Sequence, residues 1–226
     1  MKLPAPIALL TALFALLAGA PLGAAPIAWK EGVHYTVADT ANRESPPPGK
    51  VLITEVFSYG CPACNAFEPT MQKLRASMRA ATTQFQLVPA GFIPAEDWPM
   101  FQRAFLTAQA LKISDKTHDA MYKAVWSTGE LATMDKVTQR LKSPQPTIED
   151  AARWYAKQTG VKAEDFIAMA KSFGIESQVK RADDYLRTYK VLSTPTLVIN
   201  GRYVTDVRSA GGYDQLIDLV RYLATK

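Results

Sequence analysis

Apolar residues are distributed along this chain in three distinct patterns. The first is a short unbroken run from Ile7 to Ala18. The second is a set of strand-length segments. Val51-Leu52-Ile53-Thr54-Glu55-Val56-Phe57 is almost continuously apolar and β-branched, as in a strand covered on both faces, and Glu55 is its one charge. Gln84 to Val88 alternates like a second strand, and Trp29 to Val37 reads as an opening strand with Tyr35 and Val37 on one face. Ser45-Pro46-Pro47-Pro48-Gly49 is a loop, since neither a helix nor a central strand accommodates it.

The third pattern is helical spacing. Phe67, Met71, Leu74 and Met78 mark a helix that starts at Cys61, with Pro69 inside it expected to cause a kink. From Pro94 to Tyr189 further stripes follow: Phe101, Ala104, Phe105, Ala108 and Leu111; Met121 and Val125; Ile148, Ala151, Ala152 and Tyr155 behind Thr147 as N-cap; Phe166, Met169, Ala170 and Phe173; and Val179, Ala182 and Leu186. These stripes are read as core. Strands return at Thr196-Leu197-Val198-Ile199, followed by the hairpin signal Asn200-Gly201 and the partner segment Arg202-Tyr203-Val204. Tyr213, Leu216, Ile217, Val220 and Leu223 mark a closing helix. This order predicts an α/β fold, one sheet interrupted by a helical insertion.

The N-terminal run changes the picture of where such a domain works. Lys2, the apolar stretch and the small residues Gly19 to Ala25 are ordered as a secretory signal peptide over residues 1–25. The run is shorter than the roughly 20 residues of a membrane helix, although an uncleaved anchor is the alternative. About 200 residues remain, enough for one domain with an insertion. The net charge of +5 is spread among mixed Lys, Arg, Asp and Glu, with no basic run that points to nucleic acid.

The chain has 2 cysteines, and both lie in Ser58-Tyr59-Gly60-Cys61-Pro62-Ala63-Cys64-Asn65-Ala66-Phe67. Export places them where disulfides persist, yet one short loop closed by a bridge adds little stability to a chain of this size. A strand-to-helix turn puts Cys61 at a helix N-terminus, where free amides and the helix dipole favour a thiolate, and thiols in such places titrate at roughly 3.5–7.5. Pro62 suits the first turn. Cys64, one turn on and more buried, is then the resolving sulfur. A closed zinc site needs four ligands, and His34 and His118 lack ligand spacing, so no metal and no cofactor is called for. The two histidines are read as ordinary surface or partly buried residues with nothing to bring them near Cys61. Glu55 is either a strand-edge charge turned to solvent or a buried carboxyl of raised pKa that takes the proton Cys64 must lose.

With these residues in place, the chain resembles the DsbA-like thiol:disulfide oxidoreductases of the thioredoxin superfamily. The resemblance rests on export, Glu55 ahead of Cys61-Pro62-Ala63-Cys64, the helical insertion, Thr194-Pro195 before the last strands, and the Asn200-Gly201 hairpin. It implies a thioredoxin fold with an inserted all-helical domain, the thioredoxin-like parts spanning 26–92 and 190–226 and the insertion 93–189. It further implies a cis Thr194-Pro195 bond facing Cys61, an apolar client groove, and client contacts at Pro62, Ala63, Thr194 and Pro195. The implied catalytic residues are Cys61, Cys64 and Glu55. The implied setting is the periplasm, with the protein a monomer acting on exported proteins that carry thiols and reoxidised by a DsbB-type, quinone-linked inner-membrane oxidase. One position departs from the pattern: well-known members carry His between the cysteines where this chain has Ala63, which implies a less oxidising couple.

Two other readings stay open. A disulfide reductase or isomerase runs the chemistry in the other direction. Against it, few residues precede Cys61 to form a dimerisation domain, and Gly60 stands where cytochrome-maturation reductases commonly have Trp. A periplasmic peptide-binding chaperone would leave the cysteine pair incidental.

Overall fold

Among the described residues five strands form one mixed sheet, and its order explains why the cysteine turn is where it is. The computed structural model describes residues 27–39, 43–93, 97–135 and 137–226; the signal peptide expected at 1–25 and the expected helix start at Pro94 lie outside the described residues. The strands are β1 (Thr36–Val37), β2 (Val51–Phe57), β3 (Thr83–Pro89), β4 (Thr196–Ile199) and β5 (Tyr203–Thr205), in the spatial order β1-β5-β4-β2-β3. β2 runs parallel to β3 and antiparallel to β4, and Glu55 sits opposite Leu87 on one side and Leu197 on the other. A strand paired on both edges and covered on both faces is buried along its length, which the apolar sequence of β2 provides for.

Helix α1 (Pro62–Ser77) follows β2 and continues through Pro69. It packs against α8 (Tyr213–Ala224), and together with the sheet they enclose Ile53, Phe67, Met71, Leu74, Leu197, Leu219 and Val220. Between β3 and β4 run α2 (Trp98–Ala110), α3 (Ser114–Trp126), α4 (Ile148–Thr159), α5 (Ala163–Ala170) and α6 (Phe173–Thr188). Thr147 caps α4 through a reciprocal pair with Asp150, as its position after Pro146 suggests. Among the described residues, no helix is long and apolar enough to cross a membrane.

The insertion is joined to the sheet by aromatic rings. Phe57 and Tyr59, at the end of β2, meet Phe101 and Phe105 of α2 and Tyr122 of α3, with centroids 4.9 Å apart for Phe57–Phe105 and 5.1 Å for Tyr59–Tyr122. Such edge-to-face pairs add about 0.5–1.5 kcal/mol each beyond their buried area. The site at the end of β2 is therefore packed from the insertion side as well as from the sheet.

Three details differ from the sequence expectation. The opening strand shrinks to Thr36–Val37, because Gly32 turns the chain at φ 76° and the His34 amide bonds back to the Lys30 carbonyl. Phe173 is not core: Ser172 caps a new helix at that point, which leaves Phe173 86% exposed. A short helix, α7 (Val207–Ala210), capped by Asp206, precedes α8.

The β4–β5 turn follows its signal. Asn200 and Gly201 both lie in the left-handed region, at φ 53° and 58°, and the Asn200 side chain accepts from the Leu52 amide. A Cβ on Gly201 would run into the carbonyl oxygen of Glu44. Gly201→Ala is therefore expected to cost more than about 1 kcal/mol in denaturant unfolding, and an unchanged unfolding midpoint would contradict that geometry.

Candidate functional site

Cys61 is the N-cap of α1, with extended backbone angles of φ −89° and ψ 116°. Its sulfur accepts a hydrogen bond from the Cys64 amide at 3.3 Å, so the residue caps the helix that it opens. Pro62 occupies the first turn, and no acidic residue competes there. The thiol also lies 3.5 Å from the Thr194 carbonyl oxygen, to which it donates when protonated. Both cysteines are free thiols in this structure. The Cys61 thiol is lowered to about 6, first by its hydrogen bond with Cys64, and further by the Thr194 hydroxyl and the backbone amides of Cys64 and Ala63, against the opposing effect of burial. The Thr194 hydroxyl is buried and has no other hydrogen-bond partner among the described residues.

Cys64 is fully enclosed, and burial pushes its thiol well above the usual range, helped by its neighbour Cys61. The two sulfurs thus differ in kind, one held ready as a thiolate and one kept protonated. Glu55 is buried rather than turned to solvent. Neither of its carboxyl oxygens has a hydrogen-bond partner among the described residues. Burial raises it to about 8, with the Glu68 charge adding to the rise and Arg75 opposing it.

The loop that faces the cysteines carries the second proline. Thr194-Pro195 is a cis bond, as the resemblance implied; Ser143-Pro144 is also cis, which the sequence did not announce. Pro195 is buried and Thr194 partly so, while Pro62 and Ala63 are exposed at the mouth of the helix. A cavity of about 540 Å³ is lined by Val191 and Leu192, just ahead of this loop in sequence, together with Gly91, Phe92, Leu186 and the charged Asp183, Arg187 and Lys190. Leu192 is 89% exposed there.

Comparison with known proteins agrees with this geometry. Residues 47–219 match the family described as Thioredoxin. The thiol:disulfide interchange protein DsbA of Pseudomonas aeruginosa is 33% identical over 179 residues, which is 79% of this chain and 77% of that protein. This chain belongs to the DsbA family. The DsbA of Pseudomonas syringae pv. tomato is 32% identical, covering 78% of each chain. The crystal structure of Pseudomonas aeruginosa DsbA superposes with a TM-score of 0.71 at 30% identity, covering 87% of this chain and 93% of that one. The oxidoreductase DsbA from Xylella fastidiosa gives a TM-score of 0.72 at 26% identity, covering 85% and 94%. The fold is the thioredoxin fold with an inserted helical domain, and the protein is a protein dithiol:disulfide oxidoreductase.

In this DsbA-family site, one reading of the sequence is corrected. His118 is neither a surface residue nor remote from the cysteines. It is buried in α3, its Nδ1 lies 2.9 Å from the Tyr59 hydroxyl, and its Nε2 lies 3.5 Å from Glu68 Oε2. Tyr59 is two residues before Cys61, and Glu68 is one helical turn after Cys64. Tyr122 joins the same cluster: its hydroxyl is buried without a partner among the described residues, and burial followed by the nearby charges of Cys64 and Glu55 raises it well above the usual phenol. Two local features are consistent with this group, although neither identifies it without the docking of α3. His118 falls within the buried stripe Thr117, His118, Met121, Tyr122 and Val125 of α3, and Glu68 shares a helix face with Cys64. His34 stays as read, partly buried, with its ring accepting from the Lys30 amide.

Gly60 also finds its reason here. A Cβ at this position would come within 2.9 Å of the Trp98 ring at the start of α2. A bulky residue before Cys61 is excluded by packing.

The Glu55 shift sets a pH dependence. Glu55 is ordinarily a 4.5 acid and titrates here near 8. Below the lower value, both the folded and the unfolded chain hold the proton. Between the two values only the folded chain does, so stability falls as pH rises and levels off above about 8. Glu55→Gln is expected to gain stability over the parent progressively across that window in chemical denaturation. A difference that does not vary with pH would show that the carboxyl is not held protonated.

Proposed function

We propose that this protein is a periplasmic oxidase that introduces disulfides into exported proteins through Cys61 and Cys64. The observation that carries the reading is the split between the two sulfurs: Cys61 lowered to about 6 beside the cis Thr194-Pro195 loop, and Cys64 raised and sealed. A low-pKa sulfur is a good leaving group, and a disulfide whose reduced form gains a stabilised thiolate is an oxidising one. The signal-peptide pattern at residues 1–25 supports the compartment.

Atoms and electrons balance through the cycle. A client thiolate attacks the Cys61 sulfur of the oxidised pair, forming a mixed disulfide and releasing Cys64 as a thiolate. Glu55, protonated at neutral pH, gives its proton to Cys64. The client's second thiolate then attacks the client sulfur of the mixed disulfide, closing the client's disulfide and releasing Cys61 as a thiolate. Two electrons have moved from client to protein. They leave when Cys61 attacks the disulfide of a quinone-linked membrane oxidase of the DsbB type; Glu55, as carboxylate, takes the proton from Cys64, and Cys64 attacks Cys61. In this sequence Glu55 is donor in one half-reaction and acceptor in the other.

Pro62, Ala63, Thr194 and Pro195 border the attacking sulfur and are read as the client contacts. In this reading the backbone at Thr194 pairs with an extended client segment, and the cavity beside Phe92, Val191 and Leu192 takes apolar client side chains. Gly60, locked beneath Trp98, keeps this surface open.

Two measurements test the reading. Cys61→Ser should abolish client oxidation in vivo, and unchanged function would favour a non-redox chaperone. Equilibration with glutathione gives the direction: an oxidase has an oxidising potential and is found mainly oxidised in the cell, whereas a reductase or isomerase is held reduced. Ala63 supplies neither charge nor side-chain hydrogen bond to the Cys61 thiolate, so the potential is expected to be less oxidising than in members with His there. Ala63→His should lower the Cys61 pKa and make the couple more oxidising. An unsubstituted protein already as oxidising as the His-containing members would refute the role assigned to Ala63.

A further inference from the structure

The segment that joins α6 to the Thr194-Pro195 loop carries a lysine at a position that favours glycine. α6 closes with two backbone bonds: the Lys190 amide donates to the Arg187 carbonyl, and the Val191 amide to the Leu186 carbonyl. This closure ordinarily has glycine at its left-handed residue. Here that residue is Lys190, at φ 50°. Glycine adopts this conformation without steric cost. The outlier directs attention to the ammonium group that the position carries instead.

Lys190 lies in the wall shared by two cavities. One, of about 540 Å³, is the cavity that Phe92 lines. The other, of about 270 Å³, is lined by Val33 and by Ser193 and Thr196, the residues on either side of Thr194-Pro195. The Thr194 carbonyl oxygen in turn lies 3.5 Å from the Cys61 sulfur. Lys190, Val191 and Leu192 line both cavities and separate one from the other. Around this shared wall the surface is apolar: Leu192, Val33 and Phe92 are all exposed.

The other charged groups of the two cavities are already engaged. Asp183 is half-buried and accepts from the Gln102 side chain at 2.8 Å. Asp206 is half-buried and accepts from the Ser209 amide at 2.7 Å, as the cap of α7. Arg187 pairs with Asp184. Lys190 is exposed and takes part in no ion pair among the described residues. Its three N–H donors are the charged donors that this apolar surface leaves open, and a carboxylate is the group that complements them.

We propose that Lys190 makes this protein prefer clients with an Asp or Glu close in sequence to the reacting cysteine. Lys190 precedes Thr194 by 4 residues, so an extended client segment paired at Thr194 passes Lys190 within about four residues of its cysteine. The client's apolar side chains cover Leu192 and its neighbours, and the acidic side chain meets the ammonium. The inference rests on the client groove proposed above and names its preference. The exchange is the one already written: the client thiolate attacks the Cys61 sulfur and Cys64 leaves. Lys190 acts on which client docks, as a specificity residue outside the sulfur chemistry. An exposed charge pair alters such rates several-fold rather than by orders of magnitude.

The test uses peptides with two cysteines and a Glu, Gln or Lys placed two to four residues before or after the first of them. Their oxidation by the oxidised protein is followed by acid quenching and chromatography. The quantity read is the Glu-to-Lys rate ratio of each protein, because the effect of the charge on the peptide's own thiol is common to all variants and drops out. On one side of the cysteine, the parent ratio is expected to exceed that of Lys190→Gly by at least about threefold. Lys190→Arg should keep the parent ratio, Lys190→Glu should fall below the glycine variant, and added salt should erode all of these differences. The glycine variant relieves the left-handed position, so a lost preference there is not a lost fold. Equal ratios in the parent and Lys190→Gly on both sides of the cysteine overturn the proposal, as does a loss that Lys190→Arg shares. The mixed disulfide is common to both directions of exchange. A reducing glutathione potential therefore refutes the oxidase reading alone, and the same ratios are then read with peptide disulfides and the reduced protein. Equal ratios beside an oxidising potential refute the preference alone.

Discussion

A sulfur atom that caps its own helix is the interaction on which the remainder of this structure depends. The Cys64 amide at the start of α1 has no carbonyl to bond, and the Cys61 sulfur, 3.3 Å away, is what it meets. A thiolate satisfies that amide and the helix dipole well, and a disulfide sulfur does so poorly. The reduced state is therefore favoured by the same geometry that starts the helix, and the free energy difference becomes the drive to oxidise a client. Nothing in this requires an unusual residue. It requires a strand that ends at the right place, a helix that starts one residue after Cys61, and a second cysteine one turn inside.

Holding that arrangement in place is the work of the helical insertion. The Trp126 indole donates to the Tyr59 carbonyl at 2.9 Å, fixing the backbone just ahead of Cys61. Trp98 lies over Gly60, and Phe101, Phe105 and Tyr122 pack around Tyr59. The insertion is thus part of the redox site even though it contributes no cysteine. Its aromatic residues also supply the low-polarity surroundings that keep Cys64 and Glu55 protonated, so the packing of α2 and α3 is converted directly into proton affinity at the centre.

Much of this was legible in the sequence, and each exception has its own physical cause. The apolar run with Glu55 inside it, the cysteine pair behind it, the Thr194-Pro195 dipeptide and the Asn200-Gly201 turn are local signals, each set by neighbours along the chain. The burial of Glu55 followed because its flanking residues are themselves buried. The partnership of His118 with Tyr59 and Glu68 depends on how α3 docks against α1 and the end of β2, and docking is encoded in the combined shape of many side chains. Phe173 failed for the converse reason: its spacing fits the stripe of α5, but the Ser172 cap ends that register and begins another. The early strand failed because a single turn at Gly32 outweighs the apolar pattern around it.

Two sets of groups tune the Cys61–Cys64 pair, and this chain uses them unequally. The first is at the mouth, between the cysteines, where a side chain can act on the thiolate directly. Here that side chain is a methyl group, and only the backbone amide of Ala63 contributes. The second is buried: the enclosure of Cys64 is the largest cause of its raised thiol, with the Cys61 sulfur beside it adding to the rise. The hydrogen bond between the two sulfurs lowers Cys61 and raises Cys64 together. Neither effect needs a side chain between the cysteines. A methyl group at Ala63 therefore leaves the difference between the sulfurs in place, and gives up only the further stabilisation that a charged or donating side chain at the mouth would lend to the Cys61 thiolate.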